Sequence, residues 1–151
     1  TDQRAWYSIT NRAGAAATVH LYDEIGMWGT SAADFVNELK TLDAAQIDLH
    51  VNSPGGNAFD GLAIMNALRQ HPAKVVATVD GLAASAASFI AIGGADEVVM
   101  ARNSELMIHD ASGLCMGNAA DMRQLADEFA IFSPKAAAIR DEKRSRDAQH
   151  V

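Results

Sequence analysis

The feature that most constrains the fold is a repeated order in which a strand-like run ends at a glycine turn and a helix-like pattern follows. Ile47–Val51 alternates apolar and polar residues, as a half-buried strand does, and leads directly into the turn Asn52–Gly56. Val75–Val79 is typical of a strand buried in a sheet, and Gly81 follows it closely. Such alternation predicts an α/β fold with a mostly parallel sheet.

The same alternation extends toward both ends of the chain. Ser31 is predicted to cap a helix, with Asp34 three residues further on. Further strands are predicted over Val19–Tyr22, Val98–Met100 and Leu106–His109, and further helices over Phe59–Leu68, Ala83–Ile92 and Ala119–Arg146.

Composition excludes several classes of protein. The 12 Lys and Arg residues against 19 Asp and Glu residues give a net charge of −7, which argues against a surface for nucleic acid or anionic lipid. The longest uncharged run, Gly81–Ala95, is too short to span a bilayer. Cys115 is the only cysteine, which favours a reducing cytoplasm. No metal-ligand spacing, phosphate loop or dinucleotide fingerprint occurs, so we predict no metal and no cofactor.

Two turns at predicted carboxyl ends of strands are candidates for chemistry, since functional side chains collect there in α/β proteins. The two turns are Asn52–Gly56 and Asp80–Ser85. In the second, the serine begins a helix of small residues, whose free N–H groups favour developing negative charge. The alternative is that Ser85 only caps the helix.

The other candidates each have an ordinary alternative. Gly55 and Gly56 can adopt positive φ and aim backbone N–H groups at an oxyanion, or form a simple turn. His109 ends a predicted strand and could act as a general base, or be an exposed histidine. His50 has Asp48 as its same-face neighbour, which we interpret as a solvated strand face.

Three segments together resemble the proteolytic subunit of the Clp protease, ClpP, in order and spacing: Val51–Gly56, Gly81–Ala86 and Met107–His109. Three further segments resemble the prophage branch of that family, the ClpP-related head maturation proteases: Gly26–Thr30, Phe59–Ile64 and Ala83–Ser88. The resemblance covers nearly the whole chain. It implies a single domain over residues 1–151 with a ClpP/crotonase-like fold of stacked ββα units and a C-terminal handle helix.

The resemblance also implies roles for particular residues. Ser85 matches the nucleophile, His109 the general base and Gly56 an oxyanion-hole glycine, with the backbone N–H of Ala86 as the second donor. A peptide would lie extended between the glycine turn and the loop 111–117. The substrate-binding positions are then Gly55, Asn57, Ala111, Ser112 and Gly113.

We therefore expect a serine endopeptidase that acts on peptides or proteins, such as phage capsid or scaffold protein. The handle helix from Ala119 implies homo-oligomeric rings. No ATP site is predicted, so any ATP dependence would come from a partner unfoldase.

Two departures and two alternatives accompany this hypothesis. The family's triad acid follows the handle helix, so we expect it beyond Val151, in a domain truncated at its C-terminal end and impaired as a result. Asp110 and Ala111 follow His109 where ClpP soon has a proline. The alternatives are a non-catalytic assembly protein of the same fold and a crotonase-fold acyl-CoA enzyme, which would not need a serine at position 85.

Overall fold

The structure, a computed structural model, describes residues 5–11, 16–26 and 29–148. The chain divides into two compact units, Thr1–Met107 and Ile108–Val151. Within the described residues, the first unit contains a six-stranded sheet and three helices, and the second contains one long helix. Met27 and Trp28, in the predicted turn Gly26–Thr30, lie outside the described residues.

The elements follow each other in the alternating order that the sequence predicts. The strands are β1 (Tyr7–Thr10), β2 (Ala17–Tyr22), β3 (Gln46–Ser53), β4 (Lys74–Ala84), β5 (Glu97–Met100) and β6 (Glu105–Met107). The helices are α1 (Ala32–Leu39), α2 (Ala58–Gln70), α3 (Ala86–Gly94) and α4 (Ala119–Ala148). The mixed α/β class is confirmed, while β1 was not predicted.

The sheet is mostly parallel, as predicted. Its order is β1-β2-β3-β4-β5, and only β1 runs antiparallel to its neighbour. The long strand β4 has two partners on one edge, because β5 pairs with its first half and β6 pairs with Leu82–Ala84. The carboxyl ends of β3 and β4 therefore meet at one edge of the sheet.

One face of the sheet forms the core of the first unit. Alternate residues of β2, β3 and β4 are at most 1% exposed: Ala17, Val19, Leu21, Ile47, Leu49, Val51, Val75, Ala77 and Val79. The helices α1, α2 and α3 contribute buried Phe35, Ile64 and Ile90. Because strand side chains alternate between the two faces of a sheet, these residues all lie on the face that the helices cover.

The start of α1 confirms the predicted cap. The Ser31 hydroxyl accepts from the backbone N–H of Asp34 at 3.2 Å, and the Asp34 carboxylate accepts from the backbone N–H of Ser31 at 2.9 Å. The hydrogen bonds from Ser31 hold the pKa of Asp34 below its ordinary value, because they favour the charged carboxylate.

Two predicted boundaries were wrong. Ala83 and Ala84 belong to β4 rather than to a helix, because pairing with β6 extends the strand beyond Gly81. The predicted strand Leu106–His109 ends at Met107, so His109 is not on a strand and the face it was predicted to share with Met107 does not exist. The apolar pattern of the segment did not show that the parallel pairing of β6 with β4 ends at Met107.

Candidate active site

The turns that follow β3 and β4 are in direct contact through Gly55. A Cβ atom added to Gly55 would lie 2.7 Å from the Cβ of Ser85 and 3.0 Å from the backbone nitrogen of Ala86. The first distance is shorter than real Cβ atoms show, the second is very tight, and φ at Gly55 is +101°. The sequence needs glycine here because the two turns approach too closely for any side chain.

Ser85 has a backbone conformation that residues other than glycine rarely adopt. Its φ and ψ are 52° and −123°, at the junction between β4 and α3. The Ser85 N–H donates to the Met107 carbonyl at 3.0 Å, and the Ser88 hydroxyl donates to the Ser85 carbonyl at 2.6 Å. Strand and helix thus hold a strained conformation in place, as functional turns between a strand and a helix do.

The hydroxyl of Ser85 is not a helix cap. Ser85 stands at the N-cap position of α3, yet its side chain makes no capping hydrogen bond. The alternative in which this hydroxyl caps the helix is therefore wrong. The half-buried side chain stands at the N-terminus of α3, where the backbone N–H of Ala86 has no partner within the helix.

Gly56 is fixed against the turn that follows β2. It forms an isolated parallel bridge with Ile25, whose N–H donates to the Gly55 carbonyl at 2.7 Å and whose carbonyl accepts from Asn57 N–H at 3.4 Å. In a parallel ladder, this pattern turns the N–H of Gly56 away from Ile25. A Cβ atom at Gly56, where φ is +149°, would overlap the backbone of Ile25.

Asn57, a predicted substrate-binding residue, caps helix α2. Its side-chain oxygen accepts from the backbone N–H groups of Phe59 and Asp60 at 2.9 and 3.1 Å, which caps α2. The turn between β3 and α2 is consequently held at both of its ends.

His109 belongs to the second unit, in the irregular segment before α4. The side chain is exposed, and its Nδ1 lies 2.5 Å from the carbonyl oxygen of Asp110. Because a carbonyl oxygen can only accept, this contact assigns the proton of the neutral imidazole to Nδ1, and in that tautomer Nε2 has the lone pair that a general base needs.

The loop that follows His109 lies along α4. The Ala111 N–H donates to the Ser133 hydroxyl at 3.2 Å, and a Cβ atom at Gly113 would lie 2.7 Å from the ring of Phe129. Ser112 is exposed, and Leu114 and Met116 are 100% and 99% exposed. Within this unit, the loop presents apolar side chains to its surroundings.

A match to a known family covers the entire chain. The family model for Clp protease matches residues 1–151. The chain belongs to the Clp protease family. This is a family of serine peptidases, and the predicted relationship to ClpP is confirmed at that level.

Curated relatives agree with the family. The chain is 30% identical over 126 residues to ATP-dependent Clp protease proteolytic subunit 1 of Prochlorococcus marinus (strain MIT 9312), across 80% of this chain and 65% of the relative. It is 34% identical over 110 residues to the protein of that name from strain NATL2A, across 70% and 56%. The chain thus spans less than two thirds of the length of these Clp protease relatives.

A polar network on the open face of the sheet was not predicted. Asp80 accepts from the Tyr22 hydroxyl at 2.8 Å and lies 2.9 Å from Nδ1 of His50. The ring of His50 stacks on His20, with centroids 5.1 Å apart. The interpretation of His50 and Asp48 as a solvated strand face agrees with the partly exposed side chains of this face, but the parallel register also brings Asp80 to His50, which the sequence did not indicate. The contact between His50 and Asp80 could be predicted only from the register of β3 and β4.

The structure also bears on cofactors and membranes. Among the described residues, no group of three or more His, Cys, Asp or Glu side chains is placed to hold a metal ion. No helix in the described part of the chain has the length and apolar character needed to cross a bilayer.

Proposed function

We propose that residues 1–151 form a ClpP-type peptidase domain in which Ser85 is the nucleophile and His109 the general base. The observation that carries this proposal is the backbone of Ser85, with φ at 52° and a hydroxyl that does not cap α3. Backbone strain of this kind persists where a function requires it, and here it holds a serine hydroxyl at a helix N-terminus.

The first chemical step uses the ring nitrogen of His109 that does not face the Asp110 carbonyl. A serine hydroxyl is a weak nucleophile until a base removes its proton. With Nδ1 committed to the Asp110 carbonyl, Nε2 is the nitrogen that takes this proton as Ser85 Oγ attacks the scissile carbonyl carbon. The same nitrogen then protonates the leaving amine, and water hydrolyses the acyl-enzyme by the reverse roles.

The negative charge of the tetrahedral intermediate needs fixed donors. We assign this role to the backbone N–H groups of Gly56 and Ala86, which lie on either side of the contact between Gly55 and Ser85. Two properties support the assignment: the bridge to Ile25 turns Gly56 N–H away from the ladder, and Ala86 begins α3. Such donors often supply the largest single part of the rate enhancement.

The substrate-binding part of the proposal rests on the resemblance to ClpP. An extended peptide would add a strand between the segment Gly55–Asn57 and the loop that contains Ala111, Ser112 and Gly113, with backbone hydrogen bonds supplying affinity. The apolar side chains that this loop exposes, Leu114 and Met116, support contact with a peptide or a neighbouring subunit.

The proposed triad also needs an acid that orients His109. Asp80, the carboxylate nearest to Ser85 along the chain, is engaged by Tyr22 and His50, which supports excluding it from the triad. We propose that a continuation of the chain beyond Val151 supplies the acid, which would replace the Asp110 carbonyl as the acceptor of the Nδ1 proton of His109.

The wider biological role extends the resemblance. We place the protein in the prophage branch, as a cytoplasmic ring of identical subunits that processes phage capsid or scaffold protein. An ATP-dependent unfoldase would act only as a separate partner. The segments Phe59–Ile64 and Ala83–Ser88 support that branch.

Covalent labelling tests the proposal. The chain, and a version continued beyond Val151, are treated with a fluorophosphonate probe and their intact masses are measured. We expect one adduct, absent from Ser85→Ala, and faster labelling in the longer version, since loss of a triad acid costs about 10⁴ in kcat.

The control is Ser104→Ala, which removes a serine hydroxyl in the turn between β5 and β6, where it donates to the Ala101 carbonyl at 2.8 Å. It should label at the rate of the unchanged protein. Folded protein that stays unlabelled in both lengths would overturn the peptidase proposal and favour a non-catalytic assembly protein or an acyl-CoA enzyme.

A further inference from the structure

Ser53 is a buried polar residue that the peptidase mechanism does not use. It ends β3 and is 1% exposed. Its hydroxyl donates to the Asp23 carbonyl at 2.6 Å and accepts from the Gly55 N–H at 3.1 Å. A single side-chain atom therefore joins the turn after β2 to the turn after β3.

Both partners of this hydroxyl depend on it. Asp23 has a φ of 69°, so the carbonyl that it presents to Ser53 lies in a turn of unusual backbone geometry. The hydrogen bond to Gly55 N–H is buried. Without the hydroxyl, a buried donor and an acceptor beside it lose their partner, which costs more than an ordinary exposed hydrogen bond.

The position of Gly55 decides the geometry of the proposed site. Gly55 is packed so closely against Ser85 that an added Cβ would lie 2.7 Å from the serine Cβ. Gly56, the next residue, carries a proposed oxyanion donor. A shift of Gly55 therefore changes the distance between the nucleophile and the donor, and catalysis is sensitive to displacements of about 1 Å.

We propose that Ser53 is a positioning residue that holds the Gly55–Gly56 turn against Ser85 through its buried hydroxyl. Its consequence for catalysis rests on the proposed peptidase function. The requirement is for one atom that both donates and accepts, which threonine keeps and alanine lacks.

Kinetics of Ser53→Ala test the catalytic part. For a fluorogenic peptide we expect kcat to fall about 10- to 100-fold with KM changed less than about twofold, because the loss is confined to the transition state. Affinity for a peptidyl boronate, whose adduct places an oxygen at the oxyanion position, should fall by the same factor. Ser53→Thr should restore most of kcat.

Ser104→Ala is the matched control, since it also removes a hydroxyl that donates to a carbonyl, at 2.8 Å, but in another turn. An equal loss of kcat in both variants, or a loss that appears in KM alone, would overturn the catalytic part. A simple loss of stability would not produce parallel changes in kcat and boronate affinity.

Hydrogen exchange tests the structural part without any need for activity. The Gly55 amide should exchange at least about tenfold faster in Ser53→Ala than in the unchanged protein, whereas Ser104→Ala should leave it unaltered. Unchanged exchange at Gly55 overturns the inference. Absent labelling of Ser85 in the unchanged protein overturns the peptidase function and the catalytic part, and the exchange result still decides the structural part.

Discussion

The two faces of strand β3 show how differently neighbouring residues contribute to this protein. Leu49 is 0% exposed and lies on the face covered by the helices. The adjacent His50 points to the open face, where its side chain is 33% exposed and contacts Asp80. On the covered face packing volume matters, whereas on the open face the order comes from hydrogen bonds between strands.

The open face is ordered without being strongly stabilising. Its hydrogen bonds join residues of β2, β3 and β4, yet the Asp80 side chain is 29% exposed. Water competes for each of these contacts, so each is worth at most about 1 kcal/mol. The comparison teaches that the fold depends on the covered face and that the open face is free to carry polar chemistry.

The largest expected effect separates the two faces directly. Leu49→Ala should lower the free energy of unfolding by about 2–5 kcal/mol, because it leaves a cavity in the core. His50→Ala, one residue further on, should lower it by less than about 1 kcal/mol. Urea unfolding followed by circular dichroism measures both, and equal losses would contradict the distinction.

A smaller effect tests whether the open face is a network. Asp80→Ala and Tyr22→Phe should be coupled by about 0.5–1 kcal/mol in a double-mutant cycle, since they remove the same hydrogen bond of 2.8 Å. Asp48→Ala combined with Tyr22→Phe is the control and should be additive, because the Asp48 carboxylate accepts from Gln46 instead. A coupling near zero for the first pair would show independent side chains.

The smallest effect is spectroscopic and uses the two tyrosines: Tyr7 packs against Phe35 of α1, on the covered face, and Tyr22 contacts Asp80 on the open face. Burial, together with a hydrogen bond to Glu38, raises the pKa of Tyr7 from 10.0 to about 12. The hydrogen bond to Asp80, followed by burial, raises the pKa of Tyr22 above its ordinary value. Absorbance at alkaline pH should therefore show neither phenol ionising at the pKa of a free tyrosine.

The sign of the accompanying stability change follows from the raised values. The unfolded chain loses the Tyr7 proton near pH 10.0, before the folded protein does, so the stabilising preference for the neutral phenol is fully present below that pH. It is lost as the pH rises through about 12. Asp80→Asn should lower the pKa of Tyr22 and leave that of Tyr7 unchanged. An equal response of both tyrosines would contradict separate causes.

Much of the fold was predictable from the residues alone. The alternation in Ile47–Val51 and the apolar run Val75–Val79 predicted two parallel strands, and the structure confirms both. The cap at Ser31 was predictable because it depends on residues only three positions apart. The extension of β4 to Ala84 was not, because it depends on pairing with β6, which lies elsewhere in the chain.

The candidate site divides in the same way. Sequence by itself determined which residue types follow each strand: a pair of glycines after β3, and a serine among alanines after β4. Only the tertiary structure decided that Gly55 packs on Ser85 and that Ser85 adopts a positive φ. It also decided that the partner of His50 is Asp80 and not Asp48. The physical reason is range. Side-chain alternation and caps act over a few residues and decide the face on which a residue lies, whereas the contact between His50 and Asp80 joins residues thirty positions apart on neighbouring strands.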